Sequence, residues 1–373
     1  SALAAESAAR RYAHEEAVTL CTQAIELAGR VVPDVATLAS LHCRRGLAYE
    51  TLGRFEHARA DHETALQIGQ AAAERPVEWR ALLDLARLWG SRDYGESRGF
   101  IDRALDLARG IGDPALYAES LNWVANWHLN ADDLSLAIEY HRQALTVVEQ
   151  LGDQREIAST LERLALASQM SGELMASVDY YERAIALCHQ LDDQPGLAAS
   201  LTGRGLAYCS GSFAAPSIVP PAALTNAHAD LEEALRIARD TSAPSAESWA
   251  LWSLSLLHTG EGQYGRALEA AQASLSVATS IGHREWMAGS RSVLGALYAE
   301  LLTPEEAQPQ LKDALALAER LQSRHWIHQA TAGLAVACYL LNDLTQARAC
   351  LEAVLPPGTA MDTLHKRTCW ARR

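Results

Sequence analysis

One stretch of the sequence has the spacing of a nucleotide-binding loop. Residues 260–265 read GEGQYG, which matches the pattern G-x-G-x-x-G that wraps a dinucleotide phosphate between a strand and a helix. A helical pattern precedes these glycines, whereas the chemistry requires a strand. The stretch also takes the place that GRFEH, at 53–57, has in its own segment. We interpret it as a turn between two helices, and no Walker A, H-E-x-x-H or G-x-S-x-G motif occurs in the sequence.

Two pairs of histidines have a spacing that raises the question of a metal ion. His128 and His141 belong to one segment and can face each other, and His325 and His328 are three residues apart in one helical pattern. Even a catalytic zinc site requires a third protein ligand, and none is evident. We interpret these histidines as packed, hydrogen-bonded side chains. We expect no metal, no cofactor and no enzymatic activity.

Composition narrows the class of protein further. The net charge is −14, and the acidic residues are dispersed, which argues against a nucleic-acid-binding surface. The seven cysteines form no C-x-x-C pair and lie mostly within apolar helical patterns, as reduced thiols of a cytoplasmic protein do. No run of about 18 apolar residues is present, so we expect no membrane span. Val, Ile and Thr are sparse, which favours helices over strands.

The elements that must position any site repeat about every forty residues. A small residue opens the second apolar run of each unit, and another small or short residue follows seven positions later. Breaker segments such as NADDL at 130–134 and LGDQ at 151–154 divide each unit into two helices of about 15 to 17 residues. Neither helix can bury its apolar stripe alone, so the units must stack into an all-α solenoid. The nine marker residues are Ala17, Ala58, Ser97, Ala137, Ser177, Ala227, Ala267, Ala307 and Ala347.

The repeat resembles the tetratricopeptide repeat. The pattern G-x2-Y-x8-A-x6-A is formed by Gly46, Tyr49, Ala58 and Ala65, and it returns at 295–314. The resemblance implies a right-handed superhelix of about nine repeats, with the whole of 1–373 as a single domain and both terminal repeats truncated, as in a piece of a longer protein. His62 takes the position of an aromatic packing residue, and we expect the charged residues of 53–66 to face water.

The same resemblance implies that the first helix of each unit lines a concave groove. Asn side chains offer a donor and an acceptor to a peptide backbone or a sugar hydroxyl, and indole rings offer apolar area. We therefore predict a groove for an extended peptide or a polar small ligand; the alternative is that several tryptophans are structural wedges between repeats. The implied groove residues are Trp79, Trp89, Asn122, Trp123, Asn126, Glu162, Gln169, Trp249 and Trp252.

The one long interval between markers predicts an insertion at about 210–223. Its three prolines, Pro216, Pro220 and Pro221, forbid a continuous helix. Its apolar residues are unfavourable in water, so the loop either packs on the array or contacts a partner.

The period of about 40 residues resembles the sensor arrays of STAND-type regulators, such as the maltose-regulon activator and large LuxR-type regulators. It implies a non-enzymatic binding module in the cytoplasm, the sensor of a bacterial signalling or transcription regulator. Its ligand is expected to be a peptide, a protein segment or a small inducer. The alternative is a constitutive scaffold for protein partners, and the apolar ends of the array make a homo-oligomer possible.

Overall fold

The computed structural model describes residues 14–28, 34–209 and 221–354. Within these ranges the chain forms seventeen helices and no strand, which confirms the predicted all-α class. None of these helices is long and apolar enough to cross a bilayer. The helices are α1 (His14–Ala28), α2 (Val35–Thr51), α3 (Phe55–Ala71), α4 (Arg75–Gly90), α5 (Tyr94–Ile111), α6 (Pro114–Asn130), α7 (Leu134–Leu151), α8 (Gln154–Ser171), α9 (Leu174–Leu191), α10 (Gln194–Cys209), α11 (Pro221–Asp240), α12 (Pro244–Gly260), α13 (Tyr264–Ser280), α14 (Arg284–Glu300), α15 (Pro304–Leu321), α16 (Arg324–Leu340) and α17 (Leu344–Val354).

The turns between helices follow the breaker segments. Gly152 ends α7 with φ of 72°, a left-handed conformation that glycine adopts without a steric penalty. Asp153 then caps α8 by accepting hydrogen bonds from the amides of Arg155 and Glu156. The stretch GEGQYG is confirmed as a turn, since α12 ends within it and α13 begins at Tyr264. The predicted insertion at 210–223 lies almost wholly outside the described residues, and its packing stays a prediction.

The helices pair as two layers of a solenoid. The even-numbered helices α2 to α16 are the first helices of their repeats, and each packs against the second helix that follows it. From α6 onward, first helices also contact the first helices of neighbouring repeats, so that they form one continuous inner wall. The nine marker residues are all buried, with at most 5% of their surface exposed, which confirms their role as contact points between helices.

Small residues on the first helices accommodate larger ones on the second. Gly46 lies against the ring of His62, and Gly295 lies against Leu311. His62 and Leu311 are both fully buried, which confirms that His62 fills the packing position. The expectation for the charges around it was wrong for Asp61, which is buried because Arg45 and His42 pair with its carboxylate.

We expect Gly295→Ala to lower the free energy of unfolding by about 1–2 kcal/mol. The added Cβ would meet three side-chain carbons of Leu311 at 3.0 Å or less, and this overpacking outweighs the better helix propensity of alanine. Gly99→Ala is the matched control, because a Cβ on this exposed position of α5 meets nothing within 4 Å. It should raise the free energy of unfolding by about 0.5–1 kcal/mol. Urea unfolding measures both, and a stabilised Gly295→Ala chain would contradict the packing.

The superhelix curves until repeats far apart in the sequence touch. His328 Nδ1 of α16 lies 3.0 Å from Asp132 Oδ2, next to the end of α6. Gln322 donates to Asp93 at 3.0 Å, and Tyr94 packs among Ala288 and Leu321. We call these residues the inter-turn contact. It brings the end of α6 and the start of α5 against α14, α15 and α16.

Candidate ligand-binding groove

The inner wall is held in register by a polar link behind its surface. Asn122 of α6 is fully buried, and its amide nitrogen donates to Thr160 of α8 at 2.8 Å. Its amide oxygen lies 2.9 Å from Nδ1 of His141. All of the hydrogen bonds shown for this amide therefore go to the array. Asn122 positions the wall and does not face a groove.

Two further residues implied for the groove also lie within the packing. Trp79 is 3% exposed, and its indole nitrogen donates to Ser120 Oγ at 2.8 Å. Gln169 is 7% exposed and accepts a hydrogen bond from the Tyr181 hydroxyl at 3.5 Å. Trp89 is half-buried at the end of α4, edge-on to the ring of Phe55. These positions give the three residues structural contacts, and a role for them in ligand binding stays a prediction.

Three polar side chains on α6 and α8 have no partner within the described part of the array. Asn126, Glu162 and Arg163 are all half-buried, and we call them the polar trio. Among the described residues, no hydrogen bond of their side chains and no ion pair within 4 Å is found. Nη1 of Arg163 is buried without a partner. Burial raises the pKa of Glu162, although the positive charge of Arg163 acts in the opposite direction.

The register of the two helices indicates that the members of the trio are neighbours. Asn122 and Thr160 are hydrogen-bonded, and α6 and α8 run in the same direction as first helices of successive repeats. One helical turn further along both, Asn126 therefore comes next to Arg163. Trp123 packs beside this site, half-buried at the edge of the hydrophobic core. Asn126, Trp123 and Glu162 are among the groove residues that the sequence implied, and Arg163, which follows Glu162, is not; their role in ligand binding stays a prediction.

Tryptophans form a second patch on α12, α14 and α16, which we call the tryptophan cluster. Trp249 stacks on Trp286 with ring centroids 6.0 Å apart. Trp252 lies between Trp286 and Trp326, at 6.2 and 6.1 Å from their centroids. The structure thus brings the predicted Trp249 and Trp252 together with two rings that sequence reasoning missed. The signal was present, because Trp286 and Trp326 are one period apart.

The newly found tryptophans are fixed by the repeat before them. The indole of Trp286 donates to Ser245 Oγ at 3.2 Å, and that of Trp326 donates to Glu285 at 3.3 Å. Burial raises the pKa of Glu285, although hydrogen bonds from Trp326 and Tyr94 oppose it. Tyr94 belongs to the inter-turn contact, so the tryptophan cluster is directly linked to the closure of the superhelix.

The prediction of packed, hydrogen-bonded histidines holds for His141, whereas His328 is hydrogen-bonded but 33% exposed. His141 bonds to Asn122, as described above, and burial lowers its pKa to about 3. His128 stacks on the ring of Tyr140 with centroids 5.5 Å apart. His325 is edge-on to Trp326, and His328 pairs with Asp132.

Comparison with known proteins identifies the type of repeat. A tetratricopeptide repeat family profile matches residues 39–68, and no curated protein sequence matches the chain. The crystal structure of a Rap protein complexed with Competence and Sporulation Factor is similar over 99% of this chain and 97% of its own, with a TM-score of 0.68 and 14% identity. These findings show a solenoid of tetratricopeptide type.

Two further structures share the fold. The Rap conjugation gene regulator of the plasmid pLS20, in complex with a Phr peptide, covers 75% of this chain with a TM-score of 0.58 and 15% identity; the match spans 74% of that protein. A STAND protein with a tetratricopeptide repeat sensor from Pyrococcus horikoshii covers 91% of this chain, with a TM-score of 0.51 and 16% identity. This chain spans 48% of that protein. At these identities the likeness concerns the fold.

Proposed function

We propose that the chain, an array of tetratricopeptide type, is a non-enzymatic binding module that takes up an extended peptide or protein segment along its inner wall. Two of the similar structures support this proposal, since a Rap protein is complexed with Competence and Sporulation Factor and a Rap conjugation regulator with a Phr peptide. Both cover at least three quarters of this chain.

The polar trio carries the proposal. A half-buried amide, carboxylate and guanidinium without partners in the array are costly unless a ligand or water pairs with them. An extended peptide has the matching groups: its backbone pairs with Asn126, and a carboxylate pairs with the fork of Arg163. Glu162 pairs with an amino or guanidinium group of the same segment.

The tryptophan cluster supplies the apolar part of the groove. Trp249 and Trp286 are only partly buried, and their stacked indoles offer rigid apolar faces that bind a side chain with little loss of conformational entropy. Trp252 and Trp326, which are 7% and 6% exposed, support these two rings from behind. Both sites lie on first helices of the array, the polar trio on α6 and α8 and the tryptophan cluster on α12, α14 and α16. One extended segment that follows the inner wall would meet a charged site and an apolar site.

We further propose that the module is the sensor of a bacterial, cytoplasmic STAND-type signalling or transcription regulator. The similarity to a STAND protein with a tetratricopeptide repeat sensor supports this role. A ligand shifts only states that it distinguishes, and the inter-turn contact is the element that a change of curvature must alter. A constitutive scaffold keeps this contact when its partner binds. Spin labels at the exposed positions 135 and 329, beside the contact, separate the two roles, because a sensor changes the distance between them.

The experiment that tests peptide binding selects a partner and maps its position. A displayed peptide library is selected against the full chain, and the best peptide is cross-linked to chains carrying photoreactive benzoylphenylalanine at position 159 or 175. Ser159 lies one turn before Arg163 on α8, whereas Met175 is 79% exposed on the second helix α9. We expect cross-links at 159 and none at 175. Selected peptides that cross-link at 175, or a sugar or nucleotide that binds where no peptide does, would contradict the proposal.

A further inference from the structure

Two histidines and a glutamate from neighbouring repeats meet where α11 contacts the turn between α12 and α13. His228 Nε2 of α11 lies 2.9 and 3.0 Å from the two carboxylate oxygens of Glu261. His258 Nδ1, near the end of α12, lies 3.6 Å from Glu261 Oε2. One ligand atom from each of the three side chains lies within 4.8 Å of the other two. Glu261 belongs to the GEGQYG turn, so this turn contributes a carboxylate to the cluster although it is not a nucleotide-binding loop.

His258 has the chemical form of a metal ligand. Its Nδ1 atom is buried and has no hydrogen-bond partner among the described residues, since 3.6 Å is too long for a hydrogen bond. Burial and the neighbouring His228 lower the pKa of His258, although Glu261 opposes them. The ring nitrogen that has no partner can offer its lone pair to a metal ion, as imidazole ligands do.

The surroundings favour a cation. In the described part of the chain, no arginine or lysine forms an ion pair with Glu261. Glu232 and Glu269 line the adjoining cavity of about 650 Å³, where Arg266 is the one basic residue besides the histidines. Glu232 is one helical turn from His228 on α11, so its negative charge lies near the cluster.

A second cluster of potential metal ligands differs, because its side chains are already engaged in structural contacts. Cys43, His62 and Asp84 also lie within 4.8 Å of one another. Burial raises the pKa of the Cys43 thiol, which disfavours the thiolate that a metal requires. His62 is bonded to Glu50 at 2.7 Å, and Asp84 is paired with Arg87 at 2.9 Å. A metal there would have to displace both partners.

We propose that His228, His258 and Glu261 bind one divalent transition-metal ion, of which Zn²⁺ fits the ligand set best. Two imidazoles and a carboxylate with a fourth, open position form a common zinc arrangement. Tetrahedral bonds of about 2.0–2.2 Å place ligand atoms about 3.3 Å apart, so small side-chain rotations close the present cluster. The ion would join α11 of one repeat to the α12–α13 turn of the next and fix the angle between the two repeats.

The test titrates the full chain with Co²⁺, which reports its ligands spectroscopically, and then displaces it with Zn²⁺ against a chromophoric chelator. We expect one ion per chain, with the visible bands of four- or five-coordinate Co²⁺. His258→Gln and Glu261→Gln should each weaken binding by about 100-fold or more, since losing a ligand costs at least as much as losing an outer hydrogen-bond partner. Circular dichroism in the presence of a chelator checks that both variants fold.

Matched controls separate this site from its competitors. His328→Gln removes a histidine–carboxylate pair in another repeat, and Cys43→Ser removes the thiol of the second cluster; both should leave Co²⁺ affinity unchanged. Thiolate-to-cobalt charge-transfer bands, or binding lost in Cys43→Ser and kept in His258→Gln, would overturn the proposal. Absence of saturable binding in the unaltered chain would overturn it as well.

Discussion

Asp61→Ala is expected to lower the free energy of unfolding by about 1.5–3 kcal/mol, because it leaves the partly buried Arg45 without its charged hydrogen-bond partner. Asp61 is 4% exposed, and its two carboxylate oxygens accept hydrogen bonds from Nη2 and Nε of Arg45 at 2.7 and 2.8 Å. His42 Nδ1 lies 2.8 Å from the same carboxylate. Without Asp61, Arg45 keeps its hydrogen bond to Thr22, which carries no charge. Urea unfolding followed by circular dichroism measures the loss.

The control and the pH dependence come from the same helix. Glu56→Ala removes an exposed ion pair with Arg59 on α3 and should lower the free energy of unfolding by at most about 1 kcal/mol.

Burial acts to raise the pKa of Asp61, but the hydrogen bonds from Arg45 and His42 outweigh it and hold the pKa below 3.8. The stabilisation is therefore present above pH 3.8 and is lost as the pH falls through the lowered pKa. A loss for Asp61→Ala no larger than that for Glu56→Ala would contradict the buried ion pair.

Arg163→Gln is expected to weaken binding of the selected peptide by about 1.5–3 kcal/mol, which is roughly 10- to 150-fold. A charged hydrogen bond to a peptide carboxylate is lost, and glutamine cannot replace the bidentate guanidinium. The side chain makes no hydrogen bond within the described array, so the free energy of unfolding should change by no more than about 0.5 kcal/mol. Calorimetric titration and urea unfolding measure the two effects separately.

Asn122→Ala should reverse the pattern of Arg163→Gln, with a loss of stability and a smaller loss of peptide affinity. This amide bonds to Thr160 and His141 behind the wall, and its removal leaves buried polar groups unpaired. We expect a loss of about 1–3 kcal/mol in the free energy of unfolding. Peptide affinity should fall less than in Arg163→Gln.

The register of the repeats could be read from the sequence because one physical requirement recurs at every interface. Two helices pack closely only where a small side chain lies between them, and the marker residues meet this need in each repeat. Glycine in the left-handed conformation at Gly152 and the capping by Asp153 depend on neighbouring residues alone. Such local signals predicted the helix ends.

The exposure of the implied groove residues was predicted less well, because neighbouring positions on one helix differ in depth. Residues advance by about 100° around a helix, so the positions three before and four after the small residue lie only about 60° and 40° from it. Asn122 and Gln169 occupy these positions and are buried. Asn126 immediately follows the small residue of its repeat, Ala125. It therefore points about 100° away from Ala125 around the helix, and it is half-buried. Glu162 shares the position of Asn122, yet it remains half-exposed.

Contacts between distant repeats could not be predicted from the repeat pattern of the sequence. Asp132 and His328 are almost two hundred residues apart, and their meeting depends on the summed curvature of five repeats. The pairing of Asp61 with Arg45 also escaped prediction, because a charged residue inside a helix ordinarily faces water. A buried partner from another helix reverses this rule.

The most direct test of the central claim is a calorimetric titration of the selected peptide into three chains side by side: the unaltered chain, Arg163→Gln and Asn122→Ala. If the inner wall binds the peptide through the polar trio, Arg163→Gln loses roughly 10- to 150-fold in affinity while its unfolding curve stays unchanged. Asn122→Ala then loses stability and keeps most of its affinity. Equal affinity of the unaltered and Arg163→Gln chains would contradict the account.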